Sequence, residues 1–325
     1  MSGGSDTLSG TLDTSYGICA DIVRRNPVGL APWIDHLPRD HRRDCAAVLA
    51  LVRTLWDMVD SAGAGGISVD EARAGLAFWR QWLVDGCWDD VDDPIAEAVR
   101  YAVLANEIPQ ELLIALVDAL KSDLDPGRRF PELRNLVDYC YASSSTAWLA
   151  VGHVLGSEDA ESRARLAEMG VAVRLTEVIC GVGEDLRGGR LYLPVAHMAR
   201  HRVSEAHLRA RVITRGYSRL TEELICTAEA YFDSSLAGLD AWPAGSRRAA
   251  AVAAALERER LRQVRKNRYD NLTLAVEVGF VRRQALAGRA AVHPSGGAGK
   301  VPEGLPDGTL LIAGSPGTAP LAQSA

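Results

Sequence analysis

Apolar residues recur at spacings of three and four along nearly the whole chain, a period that suits helices and little else. The segment RDHRRDCAAVLALVRTLWDMVDSA, residues 39–62, shows the pattern and runs into GAGG, a glycine cluster that ends a helix. SVDEARAGLAFWRQWLVDG opens with Ser68 and has Glu71 three residues on, the spacing of a reciprocal capping pair. Further helices are predicted in DPIAEAVRYAVLANE, PQELLIALVDALKSDL and PELRNLVDYCYASSSTAWLAVGHVLG. The same holds for DAESRARLAEMGVAVRLTEVICGVGEDLRGG, SEAHLRARVITRGYSRLTEELICTAEAYFDSSLAG and the long PAGSRRAAAVAAALERERLRQVRKNRYDNLTLAVEVGFVRRQAL. No stretch alternates with period two beside hairpin turn residues, so the chain is predicted to be all-α. The acid-rich CWDDVDD, residues 87–93, precedes Pro94 and reads as a solvated turn.

From about Gly288 the composition turns to Gly, Pro, Ala and Ser. That predicts a disordered tail over 288–325 and a flexible N-terminus over 1–14, leaving 15–287 as one helical domain. With 47% hydrophobic and 24% charged residues in a chain of 325, the composition is that of a soluble globular protein. A net charge of −6 argues against nucleic acid as a partner. No apolar run approaches the roughly 18 residues of a membrane span. MSGGSDTLSGTLDTS lacks the parts of a signal peptide, so a cytoplasmic location is expected. Six scattered cysteines with no CxxC spacing read as reduced, mostly buried thiols.

Two helices carry acids within apolar surroundings. In RTLWDMVDSAG, Asp57 and Asp60 stand three apart beside Trp56; in RLTEVICGVGEDLRGGRLYLP, Glu177, Gly181 and Asp185 recur every four residues. Carboxylates on a buried helix are costly unless paired or bound to a cation. Two such helices facing each other would suit magnesium, which takes a few carboxylates and completes its shell with water and phosphate oxygens. Either set could equally close a salt bridge to Arg53 or Arg187 or lie on a solvated face.

Three blocks in order resemble the squalene/phytoene synthase family: LPRDHRRDCAAVLALVRTLWDMVD, LVDYCYASSSTAW and AVRLTEVICGVGEDLRGGRLYLP. The resemblance covers about residues 26–280. It implies a single-domain, all-α isoprenoid synthase-type bundle with a central cavity, a prenyl diphosphate substrate and magnesium as cofactor. Together with the acidic spacing on the two helices, it makes Asp57, Asp60, Glu177 and Asp185 candidate catalytic acids, with Asp60, Glu177, Glu184 and Asp185 as candidate metal ligands. Arg53, Arg174, Arg187, Arg190 and Tyr192 become candidates for the diphosphate. Leu49, Trp56, Tyr139, Tyr141, Ser145 and Trp148 become candidates for the prenyl and acceptor pocket.

The chain departs from the family pattern at several points. Trp56 stands where an acid is usual, Arg174 replaces Gln, Glu177 replaces Asn, Cys180 replaces Arg and Gly181 replaces Asp. The usual Ser-x-x-Phe reads NPVGL, and a Tyr and an Arg that help hold a second diphosphate align with about Glu257 and Leu274. Each diphosphate carries about three negative charges and repels a second unless cations intervene, so the losses favour one diphosphate site. The expected activity is transfer of a short allylic group, such as dimethylallyl, to a small aromatic acceptor, with a carbazole as the acceptor that resemblance to the family's aromatic branch implies. The alternatives are head-to-head condensation of two prenyl diphosphates, or a non-catalytic relative that binds them.

Overall fold

The computed structural model describes residues 4–25, 33–62, 66–86, 92–125, 127–157, 159–243 and 245–292, with side chains from residue 11 onward. Its helices are α1 (Gly4–Arg25), α2 (Arg39–Ser61), α3 (Val69–Asp85), α4 (Pro94–Ala105), α5 (Gln110–Lys121), α6 (Leu133–Cys140) and α7 (Thr146–Val154). They continue as α8 (Ala160–Arg187), α9 (Val195–Arg200), α10 (Glu205–Arg209), α11 (Arg215–Ala237), α12 (Arg247–Lys266) and α13 (Phe280–Val292). Among the described residues there is no strand, only an isolated bridge between Ala62 and Ile67.

Local chemistry sets several helix starts. Ser68 Oγ accepts from the Glu71 amide at 3.1 Å while the Glu71 carboxylate accepts from the Ser68 amide at 2.7 Å, which satisfies two otherwise orphaned donors of α3. Asp93 Oδ1 accepts from the amides of Ile95 and Ala96, and Pro94 follows at the first helical position of α4. Asp93 is therefore a cap, where the sequence reads as a free turn; residues 87–91 of that stretch lie outside the described residues.

Helix α8 forms the axis of the bundle. Its side chains are buried on almost every side from Leu166 to Gly183, and it packs on α6, α7, α11 and α12. Helices α1, α2 and α4 form a second group, and α7 touches both α2 and α8. Between α6 and α7 the chain makes a π-turn, Tyr141–Ser145. This turn presses on α8 so closely that a Cβ at Gly170 would lie 2.7 Å from the backbone nitrogen of Ser145.

Three predicted elements differ in extent. α1 begins at Gly4 and α13 runs to Val292, beyond both ends of the 15–287 span; residues 293–325 of the expected tail lie outside the described residues. The stretch 204–238 is two helices, and 243–286 is interrupted after Lys266. There Arg268 and Tyr269 take positive φ, 55° and 63°, which ends a helix. Asn271 then anchors the turn, donating to the Ile179 carbonyl at 2.5 Å and accepting from Tyr217 Oη at 2.6 Å. Cys19, Cys45, Cys140 and Cys180 are buried free thiols and Cys226 is an exposed one; Cys87 lies outside the described residues. No described helix is long and apolar enough to cross a membrane.

Candidate active site

A cavity of about 710 Å³ lies between α2 and α8, closed at the sides by α1, the π-turn, α7 and α12. That volume falls in the range of small-molecule sites. Val23, Leu49, Val52, Ala147 and Val173 give it an apolar part. Along α2, Leu49 and Asp60 are eleven residues apart, about 16 Å at the helical rise. The wall therefore grades from apolar to charged over the length of a small substrate.

At the charged end the two acid-bearing helices meet through one arginine. Arg190 Nη2 donates to Asp60 Oδ1 at 3.2 Å and to Asp185 Oδ1 at 3.3 Å, while Nη1 donates to the Val59 carbonyl at 3.3 Å. Gly189 has φ 78°, a left-handed turn that glycine adopts without strain. That reversal brings the Arg190 amide onto the Asp185 carbonyl at 2.7 Å and its side chain back over the acids. Burial pushes the Asp185 carboxyl up to about 6 despite the nearby Arg174 and Arg190, and raises Asp60 in the same direction. Glu184 and Arg187 stand exposed at the same end.

Arg174 is the most enclosed cation of the site, with its side chain only 9% exposed. Its guanidinium lies 4.0 Å from the centre of the Trp56 ring and within 5.4 Å of those of Tyr139 and Tyr192. It pairs with Glu177 at 3.0 Å and donates to Tyr139 Oη at 3.0 Å. Burial acts against its charge, but the oxygens of Tyr139, Tyr192 and Glu177 outweigh it and hold the group firmly protonated. Beneath it, buried Asp123 accepts from Tyr139, from Tyr192 at 2.9 Å and from Arg128 at 2.9 Å.

Of the residues singled out in the sequence, Arg53, Asp60, Arg174, Glu177, Glu184, Asp185, Arg187 and Arg190 line the cavity, as do Leu49, Trp56 and Gly181. The others do not. Asp57 points out of the cavity, 53% exposed and paired with Arg53. Tyr139 and Tyr192 are occupied with Asp123, because a buried carboxylate must collect donors, and Tyr141 packs against the core instead of lining the cavity. Ser145 donates to the Ala167 carbonyl at 2.6 Å, and the π-turn presents Ser143 and Ser144 to the cavity in its place. Trp148 stacks on Trp33 at 4.9 Å and meets Trp242 edge-on. Neighbours on a helix diverge by about 100°, so Ala147 faces the cavity while Trp148 faces the core.

Arg260 lines the cavity and was missed by the sequence reading. It pairs with buried Glu257 at 2.7 Å. The available signal was a charged i,i+3 pair directly after the alanine-rich start of α12, where both faces of the helix are apolar. Leu274, by contrast, is about half exposed, and NPVGL lies outside the described residues.

Among the described residues no three His, Cys, Asp or Glu side chains are grouped closely enough to hold a metal unaided. Magnesium asks for less: one or two carboxylates and substrate phosphates suffice. Asp60 and Asp185, which converge on one arginine, fit that requirement, with Glu177 and Glu184 on the same wall.

Residues 33–287 match the family model described as Squalene/phytoene synthase. A phytoene synthase of Thermus thermophilus is 32% identical over 237 residues, covering 72% of this chain and 78% of its own length. A 4,4'-diapophytoene synthase of Staphylococcus haemolyticus is 26% identical over 261 residues, covering 80% and 90%. Among solved structures, a dehydrosqualene synthase in complex with ligand superposes with a TM-score of 0.76 at 25% identity, covering 86% of this chain and 96% of that one.

Proposed function

The chain belongs to the squalene/phytoene synthase family, and on that premise we propose that it ionises an allylic prenyl diphosphate and transfers the released prenyl group to an acceptor. The observation that carries this is the graded cavity, in which an apolar part leads to Asp60 and Asp185 brought together by Arg190. The prenyl chain would lie along Leu49, Val52 and Val173. The diphosphate would meet Arg53, Arg174, Arg187 and Arg190, whose planar forks match phosphate oxygens. Asp60 and Asp185, assisted by Glu177 and Glu184, would hold magnesium, which when bound supplies Lewis-acid stabilisation of the departing diphosphate. Arg190 would then exchange part of its double carboxylate pairing for phosphate.

The relatives support head-to-head condensation of two prenyl diphosphates best, since the similar proteins are phytoene and diapophytoene synthases by name. A second reading, transfer to a small aromatic acceptor, is favoured by Trp56 and Gly181. They stand on the cavity wall where carboxylates would otherwise help to compensate a second diphosphate. One experiment separates them. The protein is incubated with magnesium and either farnesyl or geranylgeranyl diphosphate alone, or with C5 to C20 donors and a panel of aromatic acceptors. A C30 or C40 hydrocarbon supports the first reading and a prenylated aromatic supports the second. Absence of diphosphate release under every condition overturns both and leaves a non-catalytic binder.

A further inference from the structure

We propose that Arg174 is a resident cation that binds the diphosphate of the substrate without metal, and that Trp56 is the positioning residue that keeps it available. The inference rests on the prenyl diphosphate reading above and adds to it which charge meets the anion first.

Three features of the geometry carry it. Arg174 is buried, yet its side chain forms part of the cavity wall. Its guanidinium carbon lies over the face of the Trp56 ring, 4.0 Å from the ring centre. A guanidinium held against an aromatic face keeps its charge. The N–H donors of Arg174 are only partly used: one hydrogen bond goes to Glu177 and one to Tyr139, and the buried Nε–H has no partner.

A carboxylate at position 56 would act in the opposite way. It would pair with Arg174 in a poorly solvated setting and cancel its charge. The indole covers the cation without neutralising it. Below, Tyr139 ties Arg174 to Asp123, and Asp123 is held in turn by Arg128 and Tyr192. The guanidinium is thus fixed in orientation before any ligand arrives, which lowers the ordering cost of binding. Arg53 and Arg260 stand on the same wall, so further guanidinium groups lie within the cavity that Arg174 lines.

The test is calorimetric titration of inorganic pyrophosphate into the full chain, once in excess chelator and once with magnesium. Wild type is expected to bind in both. Arg174→Gln, similar in length but neutral, should weaken binding in chelator by about 10- to 100-fold, the range for a lost charge-assisted contact, and weaken it less with magnesium. Trp56→Asp should lower metal-free binding to a similar degree, and Arg174→Lys should restore part of it. Helical circular dichroism checks that each variant is folded; if Arg174→Gln does not fold, Trp56→Asp and Arg174→Lys carry the comparison. Wild type that binds only with magnesium, or variants that match wild type in chelator, would overturn the resident-cation role alone. Wild type that binds pyrophosphate under neither condition would overturn the diphosphate reading itself.

Discussion

Asp123→Asn isolates the support beneath the site from the site itself. Asp123 is 1% exposed and has both oxygens occupied: Oδ1 accepts from Arg128 and Oδ2 from Tyr139 and Tyr192. An asparagine keeps the shape but replaces one acceptor with a donor. If its oxygen serves the tyrosines, its amide nitrogen faces Arg128; the opposite orientation turns it on two hydroxyls. Either way a buried donor loses its acceptor, and Arg128 loses the carboxylate that neutralises it. An unsatisfied buried group costs about 1–3 kcal/mol, and breaking a buried ion pair costs about 3–5 kcal/mol. Arg128 is 29% exposed, so water relieves part of the second cost and about 2–4 kcal/mol in all is expected. At roughly 2 °C per kcal/mol for a large domain, differential scanning calorimetry should show a Tm lower by about 4–8 °C. Because Tyr139 also orients Arg174, KM for the prenyl diphosphate should rise as well. A Tm within 1 °C of wild type would refute the claim that this carboxylate anchors the floor of the cavity.

Asp60→Asn and Asp185→Asn should each abolish magnesium-dependent diphosphate release while leaving the helical circular dichroism spectrum intact; full turnover in either would remove these acids from the metal site. Gly170→Ala places a Cβ 2.7 Å from the Ser145 nitrogen and should cost about 1–3 kcal/mol as overpacking, read from the urea midpoint, which would stay unchanged if the π-turn can retreat. Trp148→Phe should lower stability by loosening the stack on Trp33 without altering the ratio of prenylated product to hydrolysed alcohol. A shifted ratio would place that ring in the reaction cavity.

The all-α architecture was legible because helical periodicity is a local property of the sequence. So was the pairing of the two acid-bearing helices, since carboxylates within apolar stretches need partners. What escaped depends on non-local contacts. The break after Lys266 is held by Asn271 reaching Ile179 and Tyr217, and the local cues, Asn267 at the helix end and Asp270 beyond it, do not by themselves outweigh the helical pattern on either side. Trp148 and Ala147 sit on a helix buried all round, so periodicity cannot tell which of them faces a cavity. The π-turn shifts the serines by a residue, which put Ser145 in the pocket on paper and Ser143 and Ser144 there in the fold. Arg190 was legible as a cation near the acids, but its bridge between helices depends on the left-handed turn at Gly189.

Trp56 shows how a position can lose a ligand and still serve the same site. On sequence alone it is a gap in an acidic motif, and its ring is free to face a carbocation or an aromatic acceptor. In the fold one face is taken by Arg174, so any stacking on a substrate must use the other face or the ring edge. The charge balance shifts accordingly. The wall carries Arg53, Arg174, Arg187, Arg190 and Arg260 against Asp60, Glu177, Glu184 and Asp185, and Asp57 and Glu257 pair with Arg53 and Arg260 from outside it, so the charges are close to balanced before any ion or substrate enters. One diphosphate, with about three negative charges, then needs on the order of one or two magnesium ions there, whereas two diphosphates need roughly twice that in a poorly screened cavity. Head-to-head condensation would therefore demand more bound magnesium per turnover than single-donor transfer. The magnesium dependence of diphosphate release, measured beside the product analysis, reports on the same choice independently.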